Sequence, residues 1–119
     1  MPAQAHHGGA HYLDVPTLTC WTQNDPSGAD EPYLKLNGSR IWTGPDCTPI
    51  TTMYPGITTT FWNQVYLDIM EDDFGNDDFC GSVLVGPQSG WGQQTYYSYK
   101  FVSGLGYIIN YQMEYTVYQ

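Results

Sequence analysis

The segment YQMEYTVY, residues 111–118, alternates between two kinds of side chain. One face carries Tyr111, Met113, Tyr115 and Val117, and the other carries Gln112, Glu114 and Thr116. A period of two is the pattern of a β-strand that buries one of its faces. The segment therefore predicts a half-buried strand, and strands of this kind set the expected fold class.

Strand-like segments recur along the chain. QVYLDI, residues 64–69, places Val65, Leu67 and Ile69 on one face, and YLKLNGSRIW, residues 33–42, predicts a hairpin turning at Asn37-Gly38. Further strands are predicted at Thr17–Thr22, Ile57–Phe61, Phe79–Val85 and Thr95–Val102. With the two hairpin arms, about eight short strands are punctuated by 13 glycines and eight prolines. We predict an all-β fold, an eight-stranded antiparallel β-sandwich.

Length and composition indicate one domain. The 119 residues suffice for a single core, and a hydrophobic content of 41% argues against a disordered acidic tail. Residues 1–12 are predicted to be a flexible N-terminal arm, and residues 13–119 the folded domain. The histidines of this arm, His6, His7 and His11, are expected to be mobile rather than metal-bound.

The termini and cysteines leave the compartment open. No apolar run is long enough to cross a bilayer, and the N-terminus lacks the pattern of a signal peptide. Cys20, Cys47 and Cys80 allow at most one internal disulfide, and their pairing stays open. Cys80 is expected to be a small buried side chain rather than a nucleophile.

The charge balance excludes some partners. Twelve acidic residues face three basic ones, giving a net charge of −9. The bases are too few and too scattered for a nucleic-acid surface. A chain this acidic also repels a bare anionic membrane unless a cation intervenes.

Two acidic segments contain eight of the 12 acids. NDPSGADEPYLKL, residues 24–36, contributes Asp25, Asp30 and Glu31. EDDFGNDDFCG, residues 71–81, has no lysine or arginine and contributes Glu71, Asp72, Asp73, Asp77 and Asp78. Loops at one end of a sandwich can converge, and calcium takes about six to eight oxygen ligands. Without a cation, the crowded charges would raise some carboxylate pKa values and destabilise the fold.

The same two segments resemble a known family. DPSGADEPYLKL is similar to the first calcium loop and following strand of the C2 (C-two) domain, the calcium-dependent module first named in protein kinase C. Residues at the matching positions are Asp25, Gly28, Pro32, Tyr33 and Lys35. LDIMEDDFGNDDFCGSV, residues 67–83, resembles the third calcium loop, with Phe79 and Gly81 on the return strand. Together these matches cover roughly a third of the chain.

The resemblance implies a C2-like sandwich with calcium bound by loops at one end. The implied ligands are Asp25, Glu31, Glu71, Asp73 and Asp78, with Asp30, Asp72 and Asp77 as reserves. Glutamate replaces aspartate at two ligand positions, and the third loop is one residue shorter, so Asp77 and Asp78 stay alternatives. Phe74, at the tip of that loop, is the predicted membrane or partner contact. The EF-hand spacing does not fit, and the βγ-crystallin pattern fails at Gly81.

Three classes of function follow. The leading hypothesis is a non-enzymatic calcium-binding module whose loops mediate calcium-dependent binding to a membrane, glycan or protein, or assembly. The alternative is a structural subunit of an extracellular self-assembling fibre or layer, that is, a homo-oligomer or filament. Glycoside hydrolysis by paired carboxylates is third. Since extracellular calcium is plentiful, we lean towards an extracellular or cell-surface location.

Overall fold

The computed structural model describes residues 9–24, 28–73, 75–87 and 91–119. These residues contain nine β-strands and no helix, and hence no helix that could span a bilayer. The strands are β1 (His11–Cys20), β2 (Pro32–Leu36), β3 (Ser39–Thr43), β4 (Thr51–Met53), β5 (Ile57–Phe61), β6 (Val65–Glu71), β7 (Asp78–Val85), β8 (Gln93–Val102) and β9 (Gly106–Tyr118). Residues 1–8, most of the predicted arm with His6 and His7, lie outside the described residues, and β1 begins at His11.

The strands form two antiparallel sheets. The first sheet has the order β4-β1-β9-β8, with β5 also paired to β1, and the second has the order β3-β2-β6-β7. Core side chains from both sheets form one hydrophobic cluster. The all-β sandwich predicted from the alternating segments is therefore confirmed.

One strand is split in two, which explains nine strands where eight were expected. β4 pairs with Leu18–Cys20 and β5 pairs with His11–Val15, both antiparallel to β1. Between them Gly56 adopts φ 58° and donates its N–H to the Val15 carbonyl at 3.0 Å. β4 and β5 thus follow β1 as one interrupted strand, of which the sequence predicted only the second half.

The predicted alternation determines the core. Val65, Leu67 and Ile69 of β6 are buried, as are the four alternating residues of β9 that were assigned to the core face: Tyr111, Met113, Tyr115 and Val117. The hairpin at Asn37-Gly38 is also confirmed, with φ values of 48° and 85°. Positive φ at both central residues is the signature of a tight two-residue turn.

Apart from β4 and β5, which run in the same direction along β1, successive strands run in opposite directions, and this gathers four connections at one end. The β1–β2, β3–β4, β6–β7 and β8–β9 connections lie there, and we call this the acidic end. The Asp30 N–H donates to the Cys47 carbonyl at 2.9 Å and joins the β1–β2 and β3–β4 connections, while the Trp21 N–H, just after β1, donates to the Asn110 carbonyl of β9 at 2.9 Å. The predicted convergence of the acidic segments follows from this topology.

Truncation of a core side chain tests the assignment of the buried face. Leu67 is fully buried, so we expect Leu67→Ala to lower the free energy of unfolding by about 2–5 kcal/mol in urea denaturation. Leu84→Ala is the matched control, because Leu84 is 47% exposed on β7, and it should change stability by less than about 1 kcal/mol. Equal losses in the two variants would contradict this assignment.

Candidate metal centre

Glu71 is a charged side chain at a core position. It is the last residue of β6 and continues the inward alternation of Leu67 and Ile69, so it is 2% exposed. Its Oε1 atom is buried and has no hydrogen-bond partner among the described residues. Burial, followed by the negative charge of Asp30, raises the pKa of Glu71 to about 7. An unsatisfied, desolvated carboxylate oxygen is costly unless a cation or a proton compensates it.

Three carboxylates converge at this position. Glu71, Asp73 and Asp78 each offer an oxygen, and the three oxygens lie within 4.8 Å of one another. Glu71 is buried while Asp73 and Asp78 are exposed, so the group is open to solvent on one side. Oxygen ligands from clustered carboxylates suit a hard divalent cation such as calcium.

A β-bulge selects Asp78 for this group. The pairing of β6 with β7 shifts register at Cys80, which lies unpaired between Gly81 and Phe79. The shift leaves Asp78 directly opposite Glu71. Without the bulge, Phe79 would occupy that position. The predicted return strand containing Phe79 and Gly81 is observed as β7.

Asp77 has other partners. Its carboxylate accepts a hydrogen bond from the Tyr33 hydroxyl and another from the Asp73 N–H at 3.2 Å. The Tyr33 hydrogen bond holds the pKa of Asp77 below its usual value. Of the two alternatives that the sequence left open, the geometry therefore brings Asp78 into the carboxylate group and Asp77 to Tyr33.

Asp30 is fully buried beside the group. Both of its carboxylate oxygens accept the Asn24 N–H, at 2.8 and 2.9 Å, and Oδ2 also accepts the Tyr111 hydroxyl at 2.5 Å. Its charge contributes to the raised pKa of Glu71, although it is not one of the three converging carboxylates. Asp30 thus influences the site through its charge.

Glu31 and Asp72 contribute through the backbone. The Glu31 side chain is exposed, and hydrogen bonding by its backbone partly offsets the raised pKa of Glu71. The Glu31 carbonyl accepts the Asp72 N–H at 2.9 Å, and this bond fixes the β1–β2 connection against the β6–β7 connection. The other two predicted site residues, Asp25 and Phe74, lie outside the described residues.

Sequence reasoning missed the polar partners of these acids. Tyr111 lies on the core face of β9 and was assigned to packing, yet its hydroxyl binds Asp30. The Asn24 side-chain amide donates to the Cys80 sulfur at 2.6 Å. Cys80 is buried as expected, and burial raises the pKa of its thiol to about 12. A tyrosine on the buried face of a strand carries a hydroxyl that needs a partner, and this is the one sequence signal that could have indicated the network.

The raised pKa of Glu71 predicts how pH affects the metal-free protein. The folded state holds the Glu71 proton up to about pH 7, whereas the ordinary pKa is 4.5. Between these values the folded state binds more protons, so this residue lowers the free energy of unfolding as pH rises. We expect Glu71→Gln to gain stability relative to wild type between pH 5 and about pH 8 in chelator-treated urea denaturations.

Glu114→Gln provides the control for that comparison. Glu114 lies half-exposed on β9, away from the carboxylate group. Its variant should not gain stability relative to wild type as pH rises. A constant difference between wild type and Glu71→Gln over the same range would contradict the assignment.

Comparison with known proteins gives similarity of fold. No protein-family profile matches the sequence, and no curated protein matches it. The structure is similar to that of a C2 domain, with a TM-score of 0.61 and 12% identity, over 93% of this chain and 100% of that chain. It is also similar to a C2 domain of plant extended synaptotagmin 1, with a TM-score of 0.54 and 11% identity, over 95% and 96% of the two chains.

A third similar structure is human GIVD cytosolic phospholipase A2. The TM-score is 0.52 and the identity 18%, over 92% of this chain but 16% of that one. At such low identities the agreement concerns the fold. It confirms the expectation drawn from the two acidic segments: the chain is a C2-like β-sandwich domain.

Proposed function

We propose that this domain binds calcium at its acidic end and uses the bound ion to dock on a phospholipid membrane. The observation that carries the proposal is the buried Oε1 of Glu71, which has no hydrogen-bond partner among the described residues. Glu71 belongs to the group of three carboxylates that bring oxygens within 4.8 Å of one another. A divalent cation would supply the missing partner and would offset the repulsion within the group.

The ligand set favours calcium. Glu71, Asp73 and Asp78 provide only oxygen ligands, and two of the three are exposed, so water molecules can complete the shell. Calcium accepts larger and less regular oxygen shells than magnesium, which demands near-octahedral geometry. Asp25 is proposed as a further ligand on the strength of the resemblance alone.

An apolar tip lies at the same end of the sandwich as the proposed calcium site. The β8–β9 hairpin ends at the acidic end with Phe101, Leu105 and Tyr107 exposed by 62%, 71% and 75%. The rings of Phe101 and Tyr107 meet edge to face with centroids 5.3 Å apart. We assign this hairpin tip to contact with the lipid headgroup and acyl boundary, where such side chains are favourable.

The β8–β9 hairpin is held against the β1–β2 connection. Lys100 Nζ donates to the Gln23 carbonyl at 2.7 Å, and the Asn110 side chain donates to the Thr22 carbonyl at 2.6 Å. The hairpin is therefore fixed at the end of the sandwich that also carries the carboxylates. With a net charge of −9, the protein needs a cation to approach anionic lipid.

Calcium should stabilise the folded protein. We expect thermal unfolding of the chelator-treated domain to shift upward on the order of 10 °C at a hundredfold excess of calcium over its dissociation constant. Magnesium should produce a much smaller shift. Asp73→Asn should abolish most of the calcium shift, and Asp14→Asn, on β1 away from the carboxylate group, should retain it. The calcium site would be rejected if millimolar calcium left wild-type unfolding unchanged.

Membrane docking should need both the ion and the hairpin tip. In co-sedimentation with phosphatidylcholine–phosphatidylserine vesicles, we expect binding with calcium and none with chelator. Leu105→Ser combined with Tyr107→Ser should weaken binding roughly tenfold or more, because two apolar side chains no longer enter the interface.

A matched double variant controls for loss of exposed apolar surface in general. Tyr66 and Leu84 are cross-strand partners on the second sheet and are 56% and 47% exposed. Tyr66→Ser with Leu84→Ser should bind vesicles as wild type does. If calcium raises the unfolding temperature but vesicles are not bound, the membrane partner is wrong and the calcium site stands.

The other sequence-based hypotheses stay predictions. A self-assembling structural subunit would be identified by size-exclusion chromatography with and without calcium. Glycan or protein ligands, the role of Phe74, the lack of enzymatic activity and the extracellular lean are likewise untested. The proposed function requires none of them.

A further inference from the structure

Three buried thiols lie at the acidic end of the sandwich. Cys20, Cys47 and Cys80 are 0%, 2% and 7% exposed, and all three are free. Cys20 ends β1, Cys47 lies in the β3–β4 connection, and Cys80 is the bulged residue of β7. Three pairings are conceivable from sequence, and the structure separates them.

Cys20 and Cys47 are each paired through the backbone with one member of the hydrogen-bonded pair Tyr111 and Asp30. Cys20 is the cross-strand partner of Tyr111, and Cys47 forms an antiparallel bridge with Asp30. The Tyr111 hydroxyl donates to Asp30 Oδ2 at 2.5 Å and so joins the two backbone pairs. The proximity of the two thiols lowers the pKa of Cys20 and raises that of Cys47.

The backbone around Cys47 is well fixed. Cys47 N–H donates to the Asp30 carbonyl at 2.8 Å and the reciprocal bond is 2.9 Å. Four residues further along, Thr51 is the cross-strand partner of Cys20 in β4. The short segment between Cys47 and Thr51 limits how far the Cys47 backbone can lie from the end of β1.

Cys80 has a different environment. Its sulfur accepts the Asn24 side-chain amide at 2.6 Å. Among the described residues, the side chains close enough together to hold one metal ion are the three carboxylates, and no cysteine is among them. The structure therefore gives no indication of a thiolate metal site made of the three cysteines among the described residues.

We propose that Cys20 and Cys47 form a disulfide bond in the oxidised protein and that Cys80 stays a thiol. The oxidant we name is a low-molecular-weight disulfide. The Cys20 thiolate attacks one of its sulfurs, forming a mixed disulfide and releasing one thiolate. The Cys47 thiolate then attacks the Cys20 sulfur and releases the second. Two thiols are oxidised, one external disulfide is reduced to two thiols, and the two cysteine protons go to the released thiolates.

Burial sets when the bond forms. Both sulfurs are shielded in the folded domain, so exchange is expected during folding or during local opening of the β3–β4 connection. Once closed, the bond spans 27 positions of sequence, from residue 20 to residue 47, and restricts the unfolded chain. It also secures the segment whose backbone bridges Asp30. The proposal does not depend on calcium binding.

Refolding under controlled redox conditions tests the pairing. The denatured chain is refolded with mixed oxidised and reduced glutathione, alkylated with iodoacetamide under denaturing conditions, and analysed by intact mass and non-reduced peptide mapping. We expect one alkylated cysteine, Cys80, and a peptide linked through Cys20 and Cys47. Three alkylated cysteines, or any linkage to Cys80, would overturn the proposal.

Thermal unfolding with and without a phosphine reductant provides a second readout. The wild type and the matched control Cys80→Ala should both lose several degrees on reduction. Cys20→Ala combined with Cys47→Ala should be insensitive to the reductant, with folding verified by circular dichroism. If the control loses its sensitivity, or the oxidised wild type shows none, the Cys20–Cys47 bond is wrong.

Discussion

The burial of one carboxylate determines the character of the acidic end. Glu71 continues the inward face of β6, so the backbone geometry that buries Leu67 and Ile69 also carries a negative charge into the core boundary. Its usual compensation, a hydrogen bond at each oxygen, is incomplete among the described residues. The fold therefore favours whatever neutralises that oxygen, a proton at low pH or a cation at higher pH. The hydrogen bonds around Asp30, Glu31 and Asp77 maintain this arrangement.

Much of the fold was predictable because the alternation of apolar and polar residues along a strand shows which face is buried. A period of two was enough to predict the burial of Val65, Leu67 and Ile69. The preference of Asn37-Gly38 for positive φ was enough to predict the tight turn. The split of β4 from β5 was not predictable, because the three-residue β4 carries too few alternations to give a signal. Tertiary pairing with β1 creates that strand, and local sequence does not specify it.

The site was predictable as a cluster but not in detail. The resemblance to C2 calcium loops implied Glu71, Asp73 and Asp78 as ligands together with Asp25 and Glu31, and oxygens of the first three lie within 4.8 Å of one another. The distinction between Asp77 and Asp78 depends on the bulge at Cys80, and a one-residue register shift leaves no mark in the sequence. The role of Asp30 depends on a hydroxyl contributed by β9, 81 positions away. Such partners become visible only once the two sheets are packed.

The alternating direction of the strands also separates the two ends of the molecule by role. Tyr12 pairs with Tyr118 at the end opposite the acidic connections. β9 alone spans 13 residues, and at about 3.3 Å per residue it places its last residue roughly 40 Å from the hairpin tip. An affinity tag, fluorophore or surface tether joined near residue 119 would thus point away from the carboxylates. The domain is suited to oriented immobilisation, with its ion-binding face presented to solution.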